Sequence, residues 1–197
     1  MKSYYKLFRC NNLLFISIFL WLMDKWVAVP LLKQGLWGEQ LPNVVLLLLI
    51  VSVVLIAAGG YVINDYFDVK IDRINRPDRV IVTNTMSKAE AMRLYQIVTG
   101  AGIACGLVSA FYLRSVTLGM IYVIVPGMLW FYSSSYKRQL IVGNLIVALS
   151  AALVPMVPMF VEATALGNKY GELLSQTPIL KTLYGWICGF ALFSFLF

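Results

Sequence analysis

The sequence predicts an all-α fold: a polytopic transmembrane helical bundle forming a single membrane domain over residues 1–197. Three observations lead there. The chain is 60% hydrophobic, with a mean hydropathy of +0.81. Charged residues make up 13%, against about 25% in a soluble domain. Uncharged runs near 20 residues, the length that crosses a bilayer as a helix, recur along the chain.

The N-terminal stretch MKSYYKLFRCNNLLFISIFLWLMDKW is basic and then apolar. It has no small-residue cleavage site, so it reads as an uncleaved first span rather than a signal peptide. That span covers Leu13 to Leu32 and is interrupted by Asp24 and Lys25. Val44 to Ile63 is the second. Leu94 to Leu113, Ser115 to Tyr136 and Gln139 to Val161 follow, and none carries a charge. Only Lys137 and Arg138 separate the last two, which requires a tight turn. A sixth run, Thr182 to Phe197, has 16 residues and falls short of a comfortable span.

Pro126, Pro155 and Pro158 lie inside spans and are expected to kink them. Gly59-Gly60, Gly102xxxGly106 and Gly185xxxGly189 are candidate sites of close helix contact. Cys10, Cys105 and Cys188 are scattered without a metal or redox spacing, and there is no histidine. The net charge of +7 does not imply nucleic acid, because the charges sit between long apolar runs rather than on one exposed basic face.

The basic residues set an orientation. With the N-terminus in the cytoplasm, Lys2, Lys6, Arg9, Lys70, Arg73, Arg76, Arg79, Lys88, Arg93, Lys137 and Arg138 lie inside. Lys25, Lys33, Arg114, Lys169 and Lys181 lie outside. Eleven of the 16 basic residues are thus cytoplasmic. The expected location is a cytoplasmic membrane, bacterial or archaeal.

One stretch breaks the apolar pattern. INDYFDVKIDRINRPDR, residues 63 to 79, holds Asp65, Asp68, Asp72 and Asp78, four of the chain's nine carboxylates. On a helix Asp65, Asp68 and Asp72 share roughly 60° of arc, with Asn64 beside them. Two like charges about 6 Å apart repel by roughly 3 kcal/mol at an effective dielectric of 20. Two arrangements offset this. Lys70, Arg73, Arg76 and Arg79 match the four acids in number and would make a salt-bridged loop. Alternatively, the carboxylates hold a hard divalent cation such as Mg²⁺, which takes oxygen ligands together with water and substrate phosphate. The arginines would then face phosphate. Spacing alone leaves both open.

The wider pattern is more specific. NDYFDVKID is an NDxxDxxxD motif closing a glycine-containing span, followed by RINRPDR and the basic helix start SKAEAMRL. It closely resembles the first aspartate-rich motif of the UbiA family of intramembrane prenyltransferases. WFYSSSYKRQLIVGNLIVAL, residues 130 to 149, is similar to a second stretch of that family. The resemblance implies about six spans of a nine-span bundle around a central cavity. It implies Mg²⁺ as cofactor, a polyprenyl diphosphate donor, and a lipophilic acceptor that captures the prenyl group.

Carried over by position, Asn64, Asp65, Asp68 and Asp72 are the metal ligands, with the three aspartates counted as catalytic. Arg76, Arg79, Lys137 and Arg138 are the candidate diphosphate contacts. Tyr132 and Tyr136 lie near the same end, but Ser133 stands where the family often has a tyrosine, so no tyrosine role transfers. Asn144 reads as a packing amide. The stretches are most similar to the branch that alkylates geranylgeranylglyceryl phosphate; members acting on quinone precursors or haem share the motifs. The family's second aspartate motif has no match. After Glu90 the remaining carboxylates are Glu162 and Glu172, both expected in an outer loop. The chain is therefore expected to be truncated before that motif and inactive alone. A non-catalytic protein that binds lipid or diphosphate is the alternative. A transporter fits less well, since the acids sit at one helix end rather than at the membrane midplane.

Overall fold

A computed structural model describes residues 2–77, 80–171 and 178–196; Asp78, Arg79 and Glu172 lie outside the described residues. A short helix α1 (Lys2–Leu7) precedes α2 (Cys10–Leu22). The latter continues through a π-helical segment, Met23–Ala28, into α3 (Val29–Gln34), so these three form one rod. Then come α4 (Asn43–Asn75), α5 (Lys88–Tyr112), α6 (Val116–Ser134), α7 (Leu140–Tyr170) and α8 (Ile179–Leu196). Five helices among the described residues are long and apolar enough to cross a membrane: Cys10–Gln34, Asn43–Asn75, Lys88–Tyr112, Val116–Ser134 and Ile141–Tyr170. The sixth apolar run forms α8, which starts at Ile179 rather than Thr182 and packs along α7.

The helix ends follow local chemistry. At the start of α5, Ser87 and Glu90 form a reciprocal capping box, with Glu90 Oε2 accepting from the Ser87 N–H at 2.7 Å. At the start of α6, Ser115 Oγ accepts from the Leu118 N–H. Helix α4 stops at Asn75 because Pro77 drives Arg76 out of the helical region, to φ −148 and ψ 63. With 33 residues it extends about 50 Å, well beyond the ~30 Å hydrocarbon core. Its last turns therefore carry the polar face clear of the apolar slab.

Helix α4 is the centre of the bundle. Val45, Leu46, Leu49 and Ile56 pack in one core with Leu20, Leu118, Tyr122, Val157 and Val161. Its contact with α5 is the most extensive among the described residues, and glycine makes it possible. A Cβ at Gly59 would lie 2.0 Å from Thr99 Oγ1, and one at Gly102 would lie 3.0 Å from Leu55 and Ile56. At Gly106 it would lie 2.4 Å from the Tyr122 ring. Ser52 Oγ, fully buried, donates to the Gly102 carbonyl at 2.7 Å across the same contact. Gly102xxxGly106 is thus a packing motif. Among the described residues nothing lies within 4 Å of where a Cβ would stand at Gly185 or Gly189.

One expectation changes at the end of the bundle away from the acidic stretch. Glu162 is not in a loop. Helix α7 runs on to Tyr170, ending at Gly171 with φ 53, a left-handed conformation that glycine accepts. Glu162 is fully buried on it, and its Oε2 accepts the Gln40 backbone N–H at 3.2 Å. The carboxylate is tolerated because it takes a donor from the α3–α4 connection, ending the hydrophobic pattern without ending the helix. Asp24 lies within the first span, as the sequence reading placed it. It sits fully buried in the π-helical segment, 3.2 Å from Lys25 Nζ, and Lys25 also pairs with Glu39. Pro126, Pro155 and Pro158 lie inside α6 and α7, which remain continuous helices through them.

These contacts predict that Gly106→Ala destabilises the bundle by about 1–3 kcal/mol through overpacking against Tyr122. Gly127→Ala, in open space on α6, is neutral or stabilising by up to about 1 kcal/mol. Thermal unfolding in detergent measures both; equal melting temperatures for the two variants would refute the packing assignment.

Candidate functional site

The polar end of α4 opens into a cavity of about 1250 Å³. Near its mouth it is lined by Lys6, Arg9, Asn64, Asp65, Asp68, Asp72, Arg76 and Lys137. Deeper, Val53, Ile56, Val125, Leu129, Val154 and Val157 make the walls. The cavity thus joins a charged mouth to an apolar bore.

The carboxylates share one face of α4, as their spacing requires, and two cations hold its two flanks. On one flank Asp68, 8% exposed, accepts from Asn64 Nδ2 at 2.9 Å and pairs with Lys137 Nζ. Lys137 also donates to Asn64 Oδ1 at 3.0 Å. It reaches them because the 3₁₀ turn Tyr136–Arg138 joins α6 to α7 directly over the end of α4. On the other flank Arg9 Nη2 lies 3.3 Å from Asp65 Oδ1. Asn64 and Asp65 are about 100° apart around the helix, so the two cations approach from different sides.

Arg9 sits at the junction of α1 and α2 with φ 50 and ψ 53. A left-handed backbone at a residue with a Cβ costs about 1–2 kcal/mol, here at a turn that delivers a cation to the cavity. The junction is anchored by Leu7, fully buried in a core with Val62, Val69, Val82, Met86 and Ala91. The guanidinium lies 4.7 Å from the centre of the Tyr61 ring. The Tyr61 hydroxyl in turn accepts from Asn12 Nδ2 at 3.4 Å. Tyr61 stands one turn before Asp65 on the same face of α4.

Other candidates fall in different places. Arg76 lines the cavity; among the described residues no carboxylate pairs with Arg76 and no cation pairs with Asp72. Arg73 donates to Thr83 Oγ1 at 2.9 Å, tying the end of α4 to the following loop. Tyr132 and Ser133 line the cavity; Tyr136, Arg138 and Asn144 are outside its lining. Lys6, Arg9 and Tyr61 were missed by the sequence reading. For Tyr61 a signal existed, because its position falls within the same arc as the aspartates. For Lys6 and Arg9 the basic N-terminus registered only as an orientation signal.

The donor set has a definite chemical character. Asn64, Asp65, Asp68 and Asp72 offer hard oxygen atoms only. Among the described residues no three carboxylates converge closely enough to hold a metal ion by themselves. Hard oxygen donors are the kind that a cation such as Mg²⁺ takes, with one or two protein carboxylates and the rest of its shell filled by water and phosphate. A Ca²⁺-type cage of six or more protein oxygens does not fit.

Comparison with known proteins bears on this geometry. The model of the UbiA prenyltransferase family matches residues 13–197. Among curated relatives, digeranylgeranylglyceryl phosphate synthase of Sulfurisphaera tokodaii is 33% identical over 78% of this chain and 50% of its own length. The protein of that name from Sulfolobus acidocaldarius is 34% identical over 85% of this chain and 56% of its own. The chain thus spans about half the length of the curated relatives it matches. A solved structure described as giving insights into digeranylgeranylglyceryl phosphate synthase in membranes shares the fold. Its TM-score is 0.65 at 22% identity, over 93% of this chain and 65% of that one. The chain belongs to the UbiA prenyltransferase family.

Proposed function

We propose that this chain serves in Mg²⁺-dependent transfer of a prenyl group from a prenyl diphosphate to the hydroxyl of an isoprenoid glyceryl phosphate. The site faces the cytoplasm. The observation that carries the reading is the form of the cavity, a mouth of paired carboxylates and cations leading into an apolar bore. The family match and the names of the relatives support it.

The roles follow from the residues. The apolar walls from α4, α6 and α7 take the prenyl tail and keep water from the developing allylic cation. The bond between the prenyl C1 and the diphosphate oxygen breaks, and its electron pair leaves with the diphosphate. Lys137 and Arg76 border the mouth, where their charge offsets that of the leaving group. The acceptor oxygen forms the new C–O bond, and its proton passes to the released diphosphate or a bordering carboxylate. Asn64, Asp65, Asp68 and Asp72 would hold Mg²⁺, which when bound supplies Lewis-acid stabilisation of the diphosphate. Lys137, bonded to both Asn64 and Asp68, keeps those two oxygen donors oriented.

Two outcomes test this reading. Geranylgeranyl diphosphate should bind the purified chain more tightly with Mg²⁺ than with EDTA. Asp68→Asn should lower the Mg²⁺-supported affinity about tenfold, or about 1.4 kcal/mol, and reduce its EDTA sensitivity. Calorimetric titration reads both, and an affinity indifferent to EDTA and to the substitution would sink the metal role. For orientation, single cysteines at Leu36 and Asp72, in a background lacking Cys10, Cys105 and Cys188, should react with impermeant thiol reagents from opposite sides. Reaction of both from one side would overturn the orientation.

A further inference from the structure

We infer that Arg9, braced on Tyr61 and accompanied by Lys6, is the seat of the acceptor's phosphate, separate from the diphosphate seat on the Lys137 flank. This rests on the proposed transfer to a phosphate-bearing acceptor. Arg9 engages Asp65 through one nitrogen, at 3.3 Å. A guanidinium has five donor hydrogens in a planar fork, so most of its capacity is unspent on Asp65. The plane is already organised. The Tyr61 ring lies under it at 4.7 Å, and Asn12, three residues further along the chain, holds the Tyr61 hydroxyl at 3.4 Å. The Arg9 side chain is 45% exposed and lines the cavity.

Lys6 lines the same cavity, and no carboxylate among the described residues pairs with it. An oriented fork with a free ammonium beside it matches a phosphate monoester: bidentate recognition plus a point charge.

The placement also suits a two-substrate reaction. The donor's diphosphate and the acceptor's phosphate repel, yet the acceptor hydroxyl must reach the carbon that the diphosphate leaves. Separate cations on separate flanks of α4 hold the two anions apart while both chains enter one bore. Lys137 is committed to the flank of Asn64 and Asp68, leaving the flank of Asp65 and Tyr61 to Arg9.

Binding in detergent tests the assignment with three probes: geranylgeranylglyceryl phosphate, the unphosphorylated geranylgeranylglycerol, and geranylgeranyl diphosphate with Mg²⁺. Arg9→Ala should weaken the phosphate-bearing lipid at least tenfold, several-fold more than it weakens the diphosphate through the exposed Asp65, and leave the unphosphorylated alcohol within about twofold. Arg9→Lys, which keeps charge but not the fork, should recover only part of the loss. Lys6→Ala should cost a few-fold, and inorganic phosphate should compete with the lipid phosphate in the parent chain but not in Arg9→Ala.

Equal weakening of geranylgeranyl diphosphate would assign Arg9 to the donor and overturn the inference. Equal weakening of the unphosphorylated alcohol would reduce Arg9 to a packing residue. Should Arg9→Ala fail to fold, by thermal unfolding, Arg9→Lys and Lys6→Ala read the same probes. If the parent chain binds the diphosphate but shows no preference for the phosphate-bearing lipid over the alcohol, this inference fails and the transfer reading stands. If it does not bind the diphosphate, the transfer reading itself fails.

Discussion

The arrangement depends on placing three carboxylates together at the end of an apolar helix. Asp65, Asp68 and Asp72 crowd one face of α4, and their mutual repulsion would be severe at the edge of a low-dielectric slab. Arg9 and Lys137 relieve it from the two flanks. Both cations come from elsewhere in the chain, so the ridge is stable only in the assembled bundle. Each cation arrives on a short, sharply turned segment: a left-handed residue between α1 and α2, and a 3₁₀ turn between α6 and α7. The tight turns of the fold are therefore coupled to the electrostatics of the site.

That coupling requires α4 to be positioned firmly. Glycines at 59, 102 and 106 let α4, α5 and α6 approach until side chains meet backbone. Leu7 does the equivalent for the N-terminus, anchoring α1 among residues of α4, α5 and the intervening loop. Dispersion contacts of this kind are what hold helices together where surrounding lipid is as apolar as the helix surface. The opposite end uses polar anchors instead. Asp24, Lys25, Glu39 and Glu162 connect the π-helical segment, the α3–α4 connection and α7. The Trp37 and Tyr170 rings, 4.5 Å apart, pack edge to face at the same end. The bundle is thus tied at both ends by ion pairs and hydrogen bonds, with its middle free to be an apolar bore.

The helical class, the five long spans and the grouping of acids on one face of α4 were legible in the sequence, because each rests on local pattern. Hydropathy over about 20 residues marks a span, and a repeat of three and four residues marks a helix face. The same logic misjudged Glu162. A carboxylate normally ends an apolar run, and its accommodation depends on a backbone N–H contributed from residue 40, far away in sequence. Asp24 survives inside the first span for a similar reason, through its neighbour Lys25 and the link onward to Glu39.

By itself, then, the sequence determined where the chain crosses the membrane, which residues carry oxygen donors, and that four of them lie together on α4. Only the tertiary structure decided which cations answer them. Lys70, Arg73, Arg76 and Arg79 are nearest in sequence to the acids. Among the described residues, the partners of Asp65 and Asp68 are Arg9 and Lys137, 56 and 69 residues away. The physical reason is helical geometry. Lys70 and Arg73, two or five positions from Asp68, point to another face, and Arg76 follows the helix end at Asn75, whereas a cation on a separate helix end can approach the ridge head-on.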